Sequence, residues 1–146
     1  MMGDRANVFV RNSGPTEGVF LYTHWSGSDL PSIVQEALKK KWRWDDDAYL
    51  ARIILATMTE LSHGEETGYG ISIRPPDGSD RVVYIDPSNQ NIGFTSADSR
   101  VRVPDTLISF DRYCKLDFKA ANREQWEVLL ADVEVLAKSL DKRAGA

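Results

Sequence analysis

The chain has 146 residues, of which 42% are hydrophobic and 27% charged, with a formal net charge of −4. This composition predicts one globular domain over 1–146 with a sizeable core and loose tails at 1–6 and 141–146. The acidic balance argues against a general nucleic-acid binder, which would carry a basic surplus, and makes duplex nucleic acid an unexpected partner. The single cysteine, Cys114, excludes an internal disulfide and a cysteine-rich zinc site.

No stretch of the sequence is apolar for long enough to cross a membrane, and the first residues contain no apolar run typical of a secretory signal. We therefore expect a cytoplasmic protein. Glycine-rich phosphate-binding and nucleophile-elbow motifs are also missing, so the sequence predicts no cofactor and no catalytic residue.

The first third of the chain predicts a β-hairpin followed by two helices. Strands over Val8–Val10 and Val19–Trp25 flank a turn signal, and Leu21 is expected in the core, with Tyr22 and His24 facing outward or into a cleft. The first helix is expected to be capped by Ser28 or Asp29 and to end at Lys39–Lys41. The second helix opens at Asp45–Asp47 and carries an apolar stripe: Leu50, Ile53, Ile54, Thr57, Met58 and Leu61.

The middle of the chain predicts β-structure. Strands over Tyr69–Arg74 and Arg81–Asp86 are expected to form a hairpin, and a third strand covers Asn91–Thr95. Val101–Val103 is either a further short strand or an extended link.

The end of the chain predicts helices. Residues 107–116 fit a strand or a short helix capped by Ser109, and we favour a helix over Phe110–Lys115. Asn122 caps a last helix with an apolar face that runs from Trp126 to Leu140. The element order is then β-β-α-α-β-β-β-(α)-α, which predicts an α+β fold with a single antiparallel sheet and helices packed on one face.

The junction of the second strand and the first helix is the leading candidate for a ligand site. Tyr22 and Trp25 offer faces for stacking, Thr23 and His24 offer hydrogen bonds, and a helix N-terminus favours anions. The alternative is a buried aromatic strand with a hydrogen-bonded histidine.

The run Lys39–Trp44 interleaves basic residues with tryptophans, as do stacking platforms for nucleotides and single-stranded nucleic acid. Helix-end electrostatics and packing of the tryptophans explain the same pattern. We take Arg43 and Trp44 as candidate ligand contacts and expect them to share one pocket with the aromatic end of the hairpin.

The polar loop Ser62–Gly68 contains a histidine and two glutamates, which suit a metal or acid–base chemistry. A metal site usually needs three or four ligands, and the chain has only two histidines, in no ligand motif. A solvated loop is therefore favoured, and no metal site is predicted.

Two motifs, the opening Tyr22-Thr-His-Trp25 with Leu30-Pro31 and the helical Tyr49-Leu-Ala-Arg-Ile53, resemble those of a group of small bacterial and phage-type proteins for which no activity is established. They cover about the first third of the chain. The resemblance implies a bacterial or phage setting and transfers no catalytic residue.

These observations favour a non-enzymatic binding protein for a nucleotide-like anionic ligand, held by Tyr22, Thr23, His24, Trp25, Arg43 and Trp44. Such a protein would sequester its ligand in a bacterial or phage setting. The first alternative is an adaptor or inhibitor that binds a host protein through exposed aromatic residues. A weaker alternative is a small hydrolase with His24 as base, and self-association through edge strands is a further expectation.

Overall fold

The structure is a computed structural model that describes residues 4–60, 67–76, 81–97 and 100–116. Within these ranges the chain forms six strands and three α-helices. The strands are β1 (Ala6–Arg11), β2 (Gly18–Thr23), β3 (Tyr69–Ser72), β4 (Arg81–Asp86), β5 (Asn91–Ser96) and β6 (Ile108–Ser109). The helices are α1 (Leu30–Lys39), α2 (Asp47–Met58) and α3 (Phe110–Cys114), with a 3₁₀ turn at Gly27–Asp29 before α1.

The six strands form one mixed sheet in the order β3-β2-β1-β4-β5-β6. The predicted antiparallel sheet is therefore wrong at its centre, because β1 and β4 run parallel, with Val8 beside Val83. The predicted hairpin of β3 and β4 is also wrong. Strand β3 instead pairs with β2, while β4 lies between β1 and β5. The α+β class holds for the described part of the chain.

The composition of β3 and β4 explains this arrangement. Strand β4 reads Val82-Val-Tyr-Ile85, which is apolar on both faces and fully buried, as expected for a central strand. Strand β3 carries Gly70 and Ser72 and lies at the sheet edge, where weak side-chain packing is tolerated. The hairpin of β1 and β2 is confirmed, with Phe9 opposite Phe20.

Both faces of the sheet are buried. One face packs against the three helices and contains Leu21, as predicted. The other face holds a smaller apolar cluster: Phe9, Phe20, Val82, Tyr84, Ala97 and Val101. The face of β2 that carries Leu21 is the more apolar, which predicts that Leu21 is buried. The opposite face also carries apolar residues, so periodicity leaves the burial of Phe20 undecided.

Helix ends follow the predicted signals in two of three cases. Asp46 caps α2 by accepting from the Tyr49 N–H, and Ser109 caps α3 by accepting from the Arg112 N–H. Asp29 stands at the start of α1, but its side chain makes no capping bond. The preceding 3₁₀ turn gives Asp29 helical backbone angles, and a capping side chain needs an extended backbone.

The ambiguous segment 107–116 contains both predicted alternatives in succession. Ile108 and Ser109 form the short strand β6 beside β5, and the helix α3 begins at the next residue, Phe110. Val101 makes a single β-bridge with Ala97 before an extended stretch.

The predicted last helix from Asn122, the tail at 141–146 and most of the polar loop Ser62–Gly68 lie outside the described residues. Among the helices that the structure does describe, none is long and apolar enough to span a bilayer.

Residues 4–6 of the predicted N-terminal tail are held in the fold. Asp4 N–H donates to His24 O, and the Asp4 carboxylate accepts from Arg81 Nη2 at 2.6 Å and from the Ser28 N–H at 2.9 Å. Burial alone would raise the pKa of the Asp4 carboxyl, but the hydrogen bonds from Arg81 and Ser28 outweigh it and lower the pKa below its ordinary value.

Replacing Asp4 with asparagine is expected to lower the free energy of unfolding by about 1 kcal/mol at neutral pH, because a partly exposed charged hydrogen bond is lost. The pKa of Asp4 is lower in the folded than in the unfolded protein. Its contribution to the free energy of unfolding is therefore present above the unfolded-state pKa of about 3.9, and it is lost as the pH falls through the folded-state pKa. Urea unfolding at a series of pH values measures the free energy of unfolding of the parent protein and of the Asp4→Asn variant. The two curves against pH should converge in acid. A difference that persists unchanged in strong acid would contradict this assignment.

Candidate functional site

The aromatic residues at the end of β2 form a small cluster. The Tyr22 hydroxyl is hydrogen-bonded to His24 Nδ1 at 2.9 Å, and the His24 ring meets the Trp25 ring edge-on with centroids 4.2 Å apart. Trp25 is 53% exposed, whereas Tyr22 and His24 are half-buried. The cluster therefore offers one exposed indole supported by a histidine.

Backbone contacts fix this cluster. His24 N–H donates to the carbonyl of Gly68, which has a φ of +105° and lies against the Trp25 indole. Thr23 is fully buried, and its hydroxyl oxygen accepts from the Ser26 N–H, so it shapes the turn and offers nothing to a ligand. Among the described residues, Tyr22 is the side chain that hydrogen-bonds the His24 ring, and no carboxylate orients it as in a catalytic dyad.

Trp44 supports the joint between α1 and α2 from inside. Its indole N–H donates to the Leu38 carbonyl at 3.0 Å, and its ring meets Phe110 edge-on at 5.4 Å between centroids. The ring also packs against the core on the helix side of the sheet. Trp44 is thus positioned to hold the loop, and its neighbours Trp42 and Arg43 reach the solvent.

The predicted site residues lie in two places. Trp25 comes just before the 3₁₀ turn that leads into α1, and Arg43 follows the end of α1. Because α1 has 10 residues, its ends are about 15 Å apart. The expectation of one pocket shared by the hairpin end and the helix joint is therefore wrong, since α1 separates the two groups.

A cleft of about 470 Å³ opens at the α1–α2 joint, and we call it the α1–α2 cleft. The connection and one side of α2, which includes the buried Ile53, line it with Lys41, Trp42, Arg43, Tyr49, Arg52 and Ile53. Tyr49, Arg52 and Ile53 share one helix face because they are spaced i, i+3 and i+4. The volume lies within the range of small-molecule sites, about 300–1,000 Å³.

Two half-exposed aromatic rings and three cations face this cleft. Trp42 is 58% exposed and Tyr49 is 50% exposed. The Arg43 guanidinium lies over the Tyr49 ring at 4.8 Å, and the Lys40 ammonium lies over the Trp42 ring at 5.3 Å. Within the described residues, no carboxylate forms an ion pair with Lys41, Arg43 or Arg52.

The backbone of this loop is unusual. Lys41 and Arg43 both have left-handed angles, with φ of 58° and 56°. A left-handed residue commonly ends a helix, but glycine usually occupies that position, and other residues cost about 1–2 kcal/mol each there. The hydrogen bond from Trp44 to the Leu38 carbonyl holds the loop in this conformation, and Trp42 points away from the core.

A second cleft of about 330 Å³ lies at the end of β5 and is lined in part by Thr95, Arg102 and Asp105. Its lining contains cationic and anionic side chains together and no exposed aromatic ring. It is less suited to an anionic planar ligand than the α1–α2 cleft.

Cys114 lies in α3 and is half-buried. Burial raises the pKa of its thiol, and the nearby cations Lys39 and Lys41 offset this effect only in part. The thiol is therefore protonated at neutral pH and poorly suited to act as a nucleophile.

Sequence reasoning predicted Arg43 as a ligand contact, and the structure places it in the cleft lining. It did not predict the neighbouring lining residues Lys41, Trp42, Tyr49 and Arg52. One available signal was Tyr49, which lies outside the apolar stripe of α2 and is therefore expected at the surface. No such signal shows which of Trp42 and Trp44 faces the solvent, because side chains in an irregular loop do not alternate between faces at a regular spacing.

Comparison with protein-family models, with curated proteins and with solved structures finds no match to this chain. The case for a function therefore depends on the site itself.

Proposed function

We propose that this protein is a non-enzymatic binding protein that holds a planar anionic ligand, such as a nucleotide, in the α1–α2 cleft. The observation that carries the proposal is the presence of two exposed aromatic rings beside three cations that form no ion pair with a carboxylate of the described residues. Aromatic faces bind a planar group by stacking, and guanidinium groups bind phosphate through paired N–H donors.

The lining of the cleft is positively charged. Its six residues include one lysine and two arginines and no carboxylate. Asp46 is committed to the Tyr49 N–H as the cap of α2. Asp45 and Asp47 are exposed beside the lining in sequence, and Asp111 interacts electrostatically with Lys41, so these carboxylates offset part of the charge. The lining cations support anion binding despite the overall charge of −4.

The test is thermal unfolding against a panel of nucleotides and cyclic dinucleotides, with inorganic phosphate as a non-planar control. A ligand that binds the native state raises stability by RT ln(1 + [L]/Kd), so the shift should grow with nucleotide concentration. Replacing Trp42 with alanine is expected to weaken binding by about 5- to 150-fold through the loss of one stacking face.

Trp25→Ala is the matched control, since it removes an equally exposed tryptophan at the other end of α1. It should leave the nucleotide-induced shift unchanged. If Trp25→Ala abolishes the shift and Trp42→Ala does not, the ligand binds at the hairpin cluster of Tyr22, His24 and Trp25, and the assignment to the cleft is wrong. If neither a nucleotide nor an oligonucleotide shifts the transition, the proposal fails.

Interaction with a protein is the second candidate, and the exposed side chains at the edge strand β3 are the observation that favours it. Ile71 of β3 and Ile73 just after it are exposed, and no strand of the described residues pairs with the outer side of β3. No charged residue occurs from Tyr69 to Ile73 to repel an identical strand. Pairing of β3 with a second copy would produce a homo-oligomer. A four-residue strand buries little area, so we expect such pairing to be weak.

A further inference from the structure

We propose that the ligand of the α1–α2 cleft is a single strand of nucleic acid and not a mononucleotide. This inference depends on the proposed function, because it assigns the ligand class of the same cleft. It starts from the number of groups in the cleft: two separate aromatic rings and three cations.

The two rings indicate more than one base. Trp42 and Tyr49 are about equally exposed and belong to different elements, the loop and α2. Each already has a cation over its ring, Lys40 on Trp42 and Arg43 on Tyr49. Because the rings belong to different elements, a strand can present successive bases to them, one to each ring.

The cations indicate more than one phosphate. Lys41, Arg43 and Arg52 line the cleft, and Lys40 adds a fourth positive charge beside it. A single strand presents repeated phosphates beside its bases, so a group of cations next to aromatic rings suits its repeating chemistry. The cleft is open to solvent along the loop, so a strand longer than the cleft can extend beyond it.

The same lining favours stacking over the reading of adenine and cytosine edges. It contains no asparagine, glutamine, aspartate or glutamate, the side chains that read those edges, while its lysine and arginines are of the type that contacts guanine. Stacking on Trp42 requires an open base face, and bases in a duplex are stacked on one another. We therefore expect thymine and uracil strands to bind similarly and a duplex to bind weakly.

The experiment is fluorescence anisotropy with a labelled oligothymidylate and a labelled oligouridylate of about eight nucleotides, within the usual site size of single-strand binders. Titrations between about 50 and about 200 mM salt should give a slope of log K against log [salt] near −2, for about three neutralised phosphates at about 0.7 each. Unlabelled mononucleotide and a duplex of equal length serve as competitors.

Two pairs of variants locate the strand. Arg52→Ala should reduce the salt slope by about 0.7, while Arg74→Ala, an exposed arginine beyond β3, should leave it unchanged. Trp42→Ala should weaken binding about 5- to 150-fold, and Trp25→Ala should not. Circular dichroism of each variant shows whether it is folded.

The outcomes separate this inference from the proposed function. If mononucleotide shifts thermal unfolding but the oligonucleotides bind no more tightly than mononucleotide, the inference of a single-strand ligand is overturned. The proposed nucleotide site then stands. If the oligonucleotides bind but folded Trp42→Ala and Arg52→Ala bind equally well, the strand does not use this cleft and the inference is overturned. If neither ligand binds, both proposals fail.

Discussion

Replacing Tyr113 with alanine is expected to lower the free energy of unfolding by about 3–5 kcal/mol, the typical cost of deleting a buried aromatic ring. Tyr113 is completely buried in α3, where its ring packs against Phe94 with centroids 5.9 Å apart. Its hydroxyl donates to the Pro31 carbonyl at 2.6 Å, a contact between residues far apart in sequence. The variant should show a lower urea midpoint with the same signal change on unfolding.

Tyr113→Phe separates the ring from the hydroxyl. It keeps the buried ring and leaves the Pro31 carbonyl without this donor, so a loss of about 1–3 kcal/mol is expected. Burial also raises the pKa of the Tyr113 hydroxyl well above its ordinary value, so the phenol stays neutral throughout the working pH range. Equal stability of the alanine variant and the parent protein would show that α3 does not pack as described.

The Tyr113 contacts matter for the cleft because they fix α1. Gln35, a buried polar residue of α1, donates from Nε2 to the carbonyls of Tyr113 and Leu116 at 2.9 and 2.6 Å. Together with the bond to Pro31, these contacts tie α3 to both the first turn and the middle of α1. The loop with Trp42 begins where α1 ends, so its position depends on this interface.

Trp44→Ala is expected to cost about 3 kcal/mol of stability, whereas Trp42→Ala should change stability by less than about 0.5 kcal/mol. The two tryptophans are two residues apart, but Trp44 is bonded to Leu38 and packed on Phe110 while Trp42 is 58% exposed. Urea unfolding of the two variants measures the difference directly.

Both variants should bind the ligand more weakly, but for different reasons. Trp42→Ala removes a stacking face from a folded protein. Trp44→Ala releases a loop in which Lys41 and Arg43 are held at left-handed angles, and the freed residues should return to ordinary backbone regions. If Trp44→Ala is as stable as Trp42→Ala, then Trp44 does not anchor the loop, and its original interpretation as a ligand contact becomes preferable.

Local sequence signals determined the elements and several of their ends. The apolar stripe of α2, its Asp46 cap, the Ser109 cap of α3 and the hairpin of β1 and β2 are all readable within a few neighbouring residues. These features depend on helical or strand periodicity and on turn residues, which act over short separations. For the same reason the burial of Leu21 could be predicted.

Only the tertiary structure decided the pairing of distant strands and the facing of the aromatic residues. The parallel contact of β1 with β4 joins residues about 75 positions apart, and no local pattern distinguishes it from a hairpin of β3 with β4. Whether Trp42 or Trp44 faces the solvent depends on Phe110 and the Leu38 carbonyl, which the fold brings to the loop. Secondary structure is encoded by near neighbours, whereas a cleft is formed by side chains whose surroundings come from elsewhere in the chain.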